Sequence, residues 1–395
     1  MYFLPISMPK DIDKYFFNRK KDIDLINTQL SMLKLDIPPQ LLITGYRGVG
    51  KTFLLRKVLQ DQPNEYLSVF IDLSDVVGRE KGDLSEEEVL KELLKKINKT
   101  VLEYDDKFKG LKDKIYSSFK QLKLKNYDFS GNANIFDIPI PIISENYNKL
   151  SQFVIELPQK IVDSHDSIMG FIIVIDEFQL LKSLKNPDAF FHLIRGSTQK
   201  QFNVSYIFTG SISNTSDIIN MINGPEGAFG GRLMQINIDP FSREETKGYI
   251  DEKANGLKFT DKGFEQFYKC TRGIPLYINT FSSILPKDVL CDEDIIKEGI
   301  SLNIDYIAIM WIYVWGRLSK GEKDFIIFLL ERDGAIRREL DRELGYSKSS
   351  VTRFIDSLLN KGIIKYDSKR GYVLADEMLG LWLKIKFKNS GYYPI

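Results

Sequence analysis

The chain is 395 residues long, beyond the size at which one hydrophobic core keeps growing, so two or three domains are expected and a single small module is excluded. Hydrophobic residues make up 43% and charged residues 28%, which excludes a disordered, collagenous or coiled-coil chain. With 55 Lys and Arg against 54 Asp and Glu the formal charge is +1, so any surface for a polyanion has to be local.

Cys270 and Cys291 are the only cysteines, and His165 and His192 the only histidines, too few soft ligands for a zinc framework. Two scattered thiols suit a reducing, cytoplasmic setting. The opening Met1-Tyr-Phe-Leu-Pro-Ile-Ser lacks a basic flank, a long apolar core and a cleavage site, so secretion is not expected. The apolar run from Tyr306 to Trp315 is about half the roughly 20 residues that a bilayer needs. It reads as a buried helix, and no membrane partner is expected.

Taken in chain order, the apolar run Leu41 to Thr44 meets a glycine-rich loop, after which Phe53, Leu54, Leu55, Val58 and Leu59 recur at helical spacing. Further apolar runs at 66–73, 170–175, 204–208 and 233–238 complete five strands with helical patterns between them. That alternation argues for a parallel sheet covered on both faces. Ser85 and Glu88 form a capping-box pattern before a helix with Val89, Leu90, Leu93, Leu94, Ile97 and Val101 on one face. Ser130 to Ser144 alternates apolar residues around Pro139 and Pro141, as a peripheral hairpin or edge strand does. Beyond Pro240 no further strand is expected before the C-terminal region, and a second capping box, Ser242 with Glu245, opens a helical stretch to about Tyr306.

The chemistry is concentrated at a few of these junctions. Gly45-x-x-x-x-Gly50-Lys51-Thr52 is the P-loop pattern, between a strand and a helix as the motif requires. Its glycines let backbone N–H groups wrap a polyphosphate, and the helix N-terminus turns its positive end toward that anion. Gly45, Tyr46, Arg47, Gly48, Val49, Gly50, Lys51, Thr52 and Phe53 are therefore the expected nucleotide-binding set, Lys51 charging the phosphates and Thr52 ligating Mg²⁺. An Asp-Glu pair alone is an ordinary solvated strand end. Following the apolar strand Phe171 to Ile175, Asp176 becomes the second metal ligand and Glu177 the group that activates water. Ser211, with Thr209 as second choice, follows the fourth strand and is expected to bond the water or the γ-phosphate. Arg232, on a glycine-rich loop before the fifth strand, is a candidate to stabilise phosphate charge in its own subunit or a neighbour.

Near the C-terminus, Ile336, Leu340 and Leu344 share one helical face, Gly345-Tyr-Ser makes a turn, and a second helix follows with Val351, Ile355 and Leu358 inward and Lys348 and Arg353 outward. Two short strands with Lys369 and Arg370 between them complete a winged-helix pattern. Residues 317–388 carry +5 and the remainder −4, so the neutral total conceals a basic module suited to double-stranded DNA. Docking of a protein is the competing use of such a module.

Together these motifs, with Thr271-Arg-Gly-Ile-Pro-Leu-Tyr-Ile278, resemble the archaeal-type ATPase family, a branch of the STAND and AAA+-like P-loop ATPases. The stretch Phe17-Asn-Arg-Lys-Lys-Asp-Ile23 is similar to that family's entry into the adenine pocket, although Asn18 and Lys20 replace its usual glycine and glutamate. The resemblance adds Arg19 and Pro275 to the nucleotide-binding set and raises a second-sensor role for Arg272. The implied fold class is α/β, a P-loop NTPase with a parallel sheet flanked by helices, then a helical lid and a C-terminal winged helix. The boundaries are expected at 1–240, with an insertion over about 78–150, at 241–315 and at 316–395. The implied function is an ATP- and Mg²⁺-dependent conformational switch, with nucleotide-dependent homo-oligomers as a further expectation. A DNA-binding regulator with negligible hydrolysis, and a signalling or defence switch whose winged helix binds protein, stand as alternatives.

Overall fold

The computed structural model describes residues 4–5, 7–80, 82–108, 147–210, 216–254 and 256–394. Its central sheet has five strands, β1 (Leu41–Gly45), β2 (Tyr66–Asp72), β3 (Gly170–Asp176), β4 (Val204–Thr209) and β5 (Met234–Ile238). All pair in parallel, in the order β2-β3-β4-β1-β5. The register sets Asp72 beside Asp176 and Asp176 beside Thr209, so these side chains gather at the carboxyl ends of the strands. Strand β1 lies between β4 and β5, and its C-terminal end is the switch point where open α/β sheets bind ligands.

Both faces are buried because β3 is apolar at every position before Asp176. Phe171, Ile173 and Ile175 pack on one side, with the helices Glu86–Phe108, Tyr147–Asp163 and Pro187–Thr198 contributing Leu94, Phe153 and Phe191. Ile172 and Val174 face the other side, against Ile26 and Leu30 of helix Lys20–Leu30 and Leu54, Leu55 and Val58 of the helix after the P-loop. The cap expected at Ser85 forms, Glu88 donating its backbone N–H to the hydroxyl at 3.2 Å. The hairpin expected over 130–144 lies outside the described residues.

After Pro240 the strands do not stop. Lys258–Phe259 pairs in parallel with Leu290–Cys291, two-residue runs too short to leave a periodic signature. The expected helical stretch is four helices, Arg243–Lys253, Asp261–Thr271, Pro275–Ile284 and Glu293–Ile307, the first capped by the reciprocal Ser242 and Glu245 bonds. The buried helix expected at 306–315 is broken at Ala308 and is buried on one side only. Trp311 and Trp315 are inside, whereas Tyr306, Ile309 and Tyr313 are exposed.

The C-terminal region contains helices Lys320–Arg332, Arg337–Glu343 and Lys348–Asn360, an antiparallel hairpin of Ile364–Asp367 and Gly371–Leu374, and helix Glu377–Ser390. Leu340, Val351, Ile355 and Leu358 are buried and Lys348 and Arg353 exposed, as the periodicity predicts. Ile336 is the exception: it precedes the helix as its N-cap and is 46% exposed. One continuous apolar cluster runs from Phe241 through Trp311 and Trp315 to Leu383, so the helices after the sheet and the C-terminal elements share a core. Among the described residues no helix is long and apolar enough to cross a membrane.

Candidate functional site

The P-loop occupies the turn between Gly45 and the helix Lys51–Gln60. Gly48 and Gly50 hold φ of 80° and 97°, conformations that side chains with a Cβ rarely adopt. A Cβ at residue 48 would also sit 2.6 Å from Leu276 Cβ, because the start of helix Pro275–Ile284 lies against the loop. The Leu276 N–H donates to Gly48 O at 3.2 Å. From the other side the Arg19 guanidinium donates to Val49 O at 3.0 Å and Asp239 O at 2.6 Å while lying 4.7 Å from the Phe241 ring centroid. The loop is thus clamped by the entry segment and by the helices after the sheet.

Lys51 is buried, its ammonium donating to the carbonyls of Gly45 and Tyr46, both at 3.0 Å. Burial lowers its pKa to about 8, against the opposing pull of Glu177 and Asp176. Thr52 donates its hydroxyl to Asp176 Oδ2 at 2.7 Å, and the Glu177 N–H donates to Asp176 Oδ1 at 2.9 Å. Burial nevertheless pushes the Asp176 carboxyl up to about 6. Glu177 holds a left-handed φ of 55°, uncommon for a residue with a side chain, and Gln179 donates its amide to Glu177 Oε2.

These groups border a cleft of about 250 Å³. Of the residues expected from sequence, Arg19, Arg47, Gly48, Val49, Gly50, Lys51, Thr52, Phe53, Glu177 and Pro275 line it, and Asp176 stands behind Thr52. The cleft's far end is aromatic, with Phe16 and Phe53 5.7 Å apart and Phe17 5.4 Å from Tyr249. Tyr15, Phe16 and Asn279 also line it without having been singled out in the sequence; the Phe16-Phe17 pair just before Arg19 was the available signal.

Other expected residues lie elsewhere. Gly45 is not in the lining, since β1 ends beneath the loop. Tyr46 does not line the cleft either: its hydroxyl accepts from Lys365 Nζ at 3.5 Å across a second cavity of about 670 Å³. Arg272 lines that second cavity and pairs with Glu377, whose carboxylate accepts from Arg272 Nε at 2.8 Å. Arg232 is exposed, bonds Phe229 O at 3.4 Å and is not in the cleft lining. Thr209 is buried, and its hydroxyl has no hydrogen-bond partner among the described residues. Ser211 lies outside the described residues. At the hairpin, Lys369 is exposed, but Arg370 is held by Asp333 at 3.2 Å.

A glycine loop between a central strand and a helix, with a buried lysine and a threonine–aspartate contact at the switch point, defines a P-loop ATPase fold. Residues 16–281 match the family model described as an ATPase domain predominantly from Archaea. The chain belongs to that family. Among solved structures it is similar to the Walker-type ATPase PABY2304 of Pyrococcus abyssi, at 18% identity and TM-score 0.66, covering 96% of this chain and 99% of that one. It is also similar to the ORC2 protein of Aeropyrum pernix in its ADPNP–ADP complexes, at 10% identity and TM-score 0.54, covering 97% and 99%. No curated protein matches the sequence.

Proposed function

We propose that the chain is an Mg²⁺-dependent ATPase whose nucleotide state is transmitted to a C-terminal winged helix that binds double-stranded DNA. The observation that carries the reading is Lys51, a buried ammonium resting on the Gly45 and Tyr46 carbonyls at the start of a helix. A polyphosphate offers that ammonium stronger, charged acceptors than two neutral carbonyls. Gly48 and Gly50 free the loop's N–H groups to face the same anion, and Arg19, Phe53 and Pro275 border the aromatic end suited to adenine.

Hard oxygen donors fit Mg²⁺: the Thr52 hydroxyl and the Asp176 carboxylate, already in contact, would hold it. Among the described residues no group of three or more His, Cys, Asp or Glu side chains is placed to hold a metal ion by itself, so nucleotide phosphates and water would complete the shell. When bound, the ion neutralises charge on the phosphates. Glu177 takes a proton from water, whose oxygen bonds to the γ-phosphorus as the bond to the β–γ bridging oxygen breaks, giving ADP and phosphate. Thr209, the last residue of β4, and Ser211, two residues later in the sequence, are assigned to the water or γ-phosphate, and Arg232 to a neighbouring subunit of a nucleotide-dependent homo-oligomer.

Transmission is supported by Tyr46. When the phosphates draw Lys51 off the Tyr46 carbonyl, the loop residue that touches Lys365 of the hairpin is released at its other end. Residues 241–315 and 316–395 are assigned as lid and winged helix, moving against a nucleotide module at 1–240. Exposed Lys348, Arg353 and Lys369 are the assigned phosphate and groove contacts.

The deciding experiment is Glu177→Gln. ATP affinity is expected within about threefold of wild type and phosphate release down at least about a hundredfold. Wild-type turnover in the variant would remove Glu177 as the base. DNA affinity measured across salt tests the winged helix, since each phosphate contact contributes about 0.9 to the log–log slope. A salt-independent or absent affinity would reassign the module to protein docking.

A further inference from the structure

Gln179 follows the Asp176-Glu177 strand end by two residues. It sits in the short turn Phe178–Ser183 after Asp176 and Glu177, a turn anchored by the fully buried Phe178 and Leu181. Phe178 packs edge-on against Phe208 of β4, with ring centroids 6.3 Å apart. The Gln179 backbone is therefore fixed to the sheet while its amide reaches back to Glu177.

The facing strand end is shaped to receive that amide. Gly210 follows β4, its N–H donating to Ile43 O of β1 at 3.3 Å. A Cβ at residue 210 would overlap Gln179 Oε1 and lie 2.9 Å from the Phe178 ring. Gly210 has no left-handed φ to explain its lack of a side chain; the space is taken by Gln179. The amide is consequently oriented, with Nε2 toward the Glu177 carboxylate and Oε1 toward Gly210, since the reverse would set two oxygens together. Oε1 accepts no hydrogen bond among the described residues. A buried carbonyl left without a donor is unfavourable, so this arrangement is held by the surrounding packing.

We infer that Gln179 is a positioning residue: its amide, seated in the space left by Gly210, holds Glu177 Oε2 so that the other carboxylate oxygen faces the nucleotide cleft. The inference rests on the reading of Glu177 as the base of ATP hydrolysis. Glu177 lines the cleft while so held, which marks the bond as one that aims the carboxylate inward. The backbone at Glu177 is already in an uncommon conformation, and Gln179 gives its side chain a fixed hydrogen-bond partner.

The test compares Gln179→Met, which keeps volume without the amide, with Gly210→Ala, which evicts the amide from its seat, and with the double variant. ATP Kd is measured by calorimetry and kcat by phosphate release on the full chain, with circular dichroism to confirm folding. Each single variant is expected to lower kcat between about ten- and a hundredfold, as displacement of a catalytic group by about 1 Å does, with ATP Kd within about twofold. The double variant is expected to lose no more than the worse single, because both changes remove one interaction. Unchanged kcat in Gln179→Met, a rise in kcat, or multiplicative losses in the double variant would overturn the inference. If the wild-type chain binds ATP but releases no phosphate, the hydrolysis reading fails and takes this inference with it; wild-type turnover with normal Gln179→Met kinetics removes this inference alone.

Discussion

The two cavities that meet at the P-loop differ in how their charged groups are held. The cleft of about 250 Å³ holds few charges, but Lys51 and Asp176 are buried and pushed toward neutrality. The cavity of about 670 Å³ is lined by more charges, yet they are largely solvated pairs, such as Arg272 with Glu377 and Arg370 with Asp333, whose side chains are half exposed or more. Volume points to the second, where burial also raises the pKa values of Tyr277 and Asp376, which bond to each other at 2.7 Å; the glycine loop and the convergence of Lys51, Thr52 and Asp176 point to the first. Convergence of donors on one loop, not amount of space, marks the site, and Tyr46 with Arg47 is where the two regions share that loop.

Several substitutions sharpen or break this contrast, and Lys51→Ala has the largest expected effect. Removing the buried ammonium should weaken ATP binding at least about a hundredfold in calorimetry, about 2.8 kcal/mol. Binding within a few fold of wild type would show that the cleft does not depend on its charge.

Asp176→Asn tests the burial cost directly, through stability. Asp176 has a folded-state pKa of about 6 against an ordinary 3.8, so the folded chain holds its proton more tightly. The associated stability is full below about pH 4 and lost as pH rises through about 6. Asn removes that loss, so the nucleotide-free variant should be more stable at pH 7.5, by about 2–3 kcal/mol in denaturant melts, with the gain disappearing near pH 4. A gain independent of pH would mean that burial of the charge is not its source.

At the second cavity, Lys365→Ala should leave kcat within about twofold while shrinking the difference in DNA affinity between ATP-bound and nucleotide-free protein. An unaltered difference would exclude the Tyr46 contact as the link. Arg272→Ala has the smallest expected effect, a change of under about 1 kcal/mol, because an exposed ion pair is screened by solvent. A loss of several kcal/mol, or of ATP affinity, would place Arg272 in the chemistry rather than at the interface.

The sheet was legible in the sequence because β3 and β4 are uninterrupted apolar runs, and the loop because its glycines and Lys51-Thr52 sit at fixed spacing. The Asp176–Thr52 contact followed from the same logic, joining residues 124 positions apart. Less legible was direction. Tyr46 lies inside the motif but turns away from the cleft, since successive residues of a tight loop point to different sides. The sequence offers Arg272 as a second sensor and Arg370 as part of a basic hairpin tip, whereas both are ion-paired, with partners Glu377 and Asp333 from other elements. The strand pair Lys258–Phe259 and Leu290–Cys291 is too short for any period to register. Gln179 carries no signal of its own in the sequence because its meaning lies in the absence of a side chain at Gly210.

The apolar cluster that runs from Phe241 to Leu383 also bears on how such a chain can be inherited. A helix-and-hairpin module joined by a solvated tether can be cut out and fused elsewhere with its fold intact. Here an excision near residue 316 would tear Trp315 from Trp382 and leave indole faces in water on both fragments. Recombination would therefore preserve 241–383 as a block, and change of the exposed face would proceed by substitution at residues such as Lys348 and Arg353 rather than by replacement of the module.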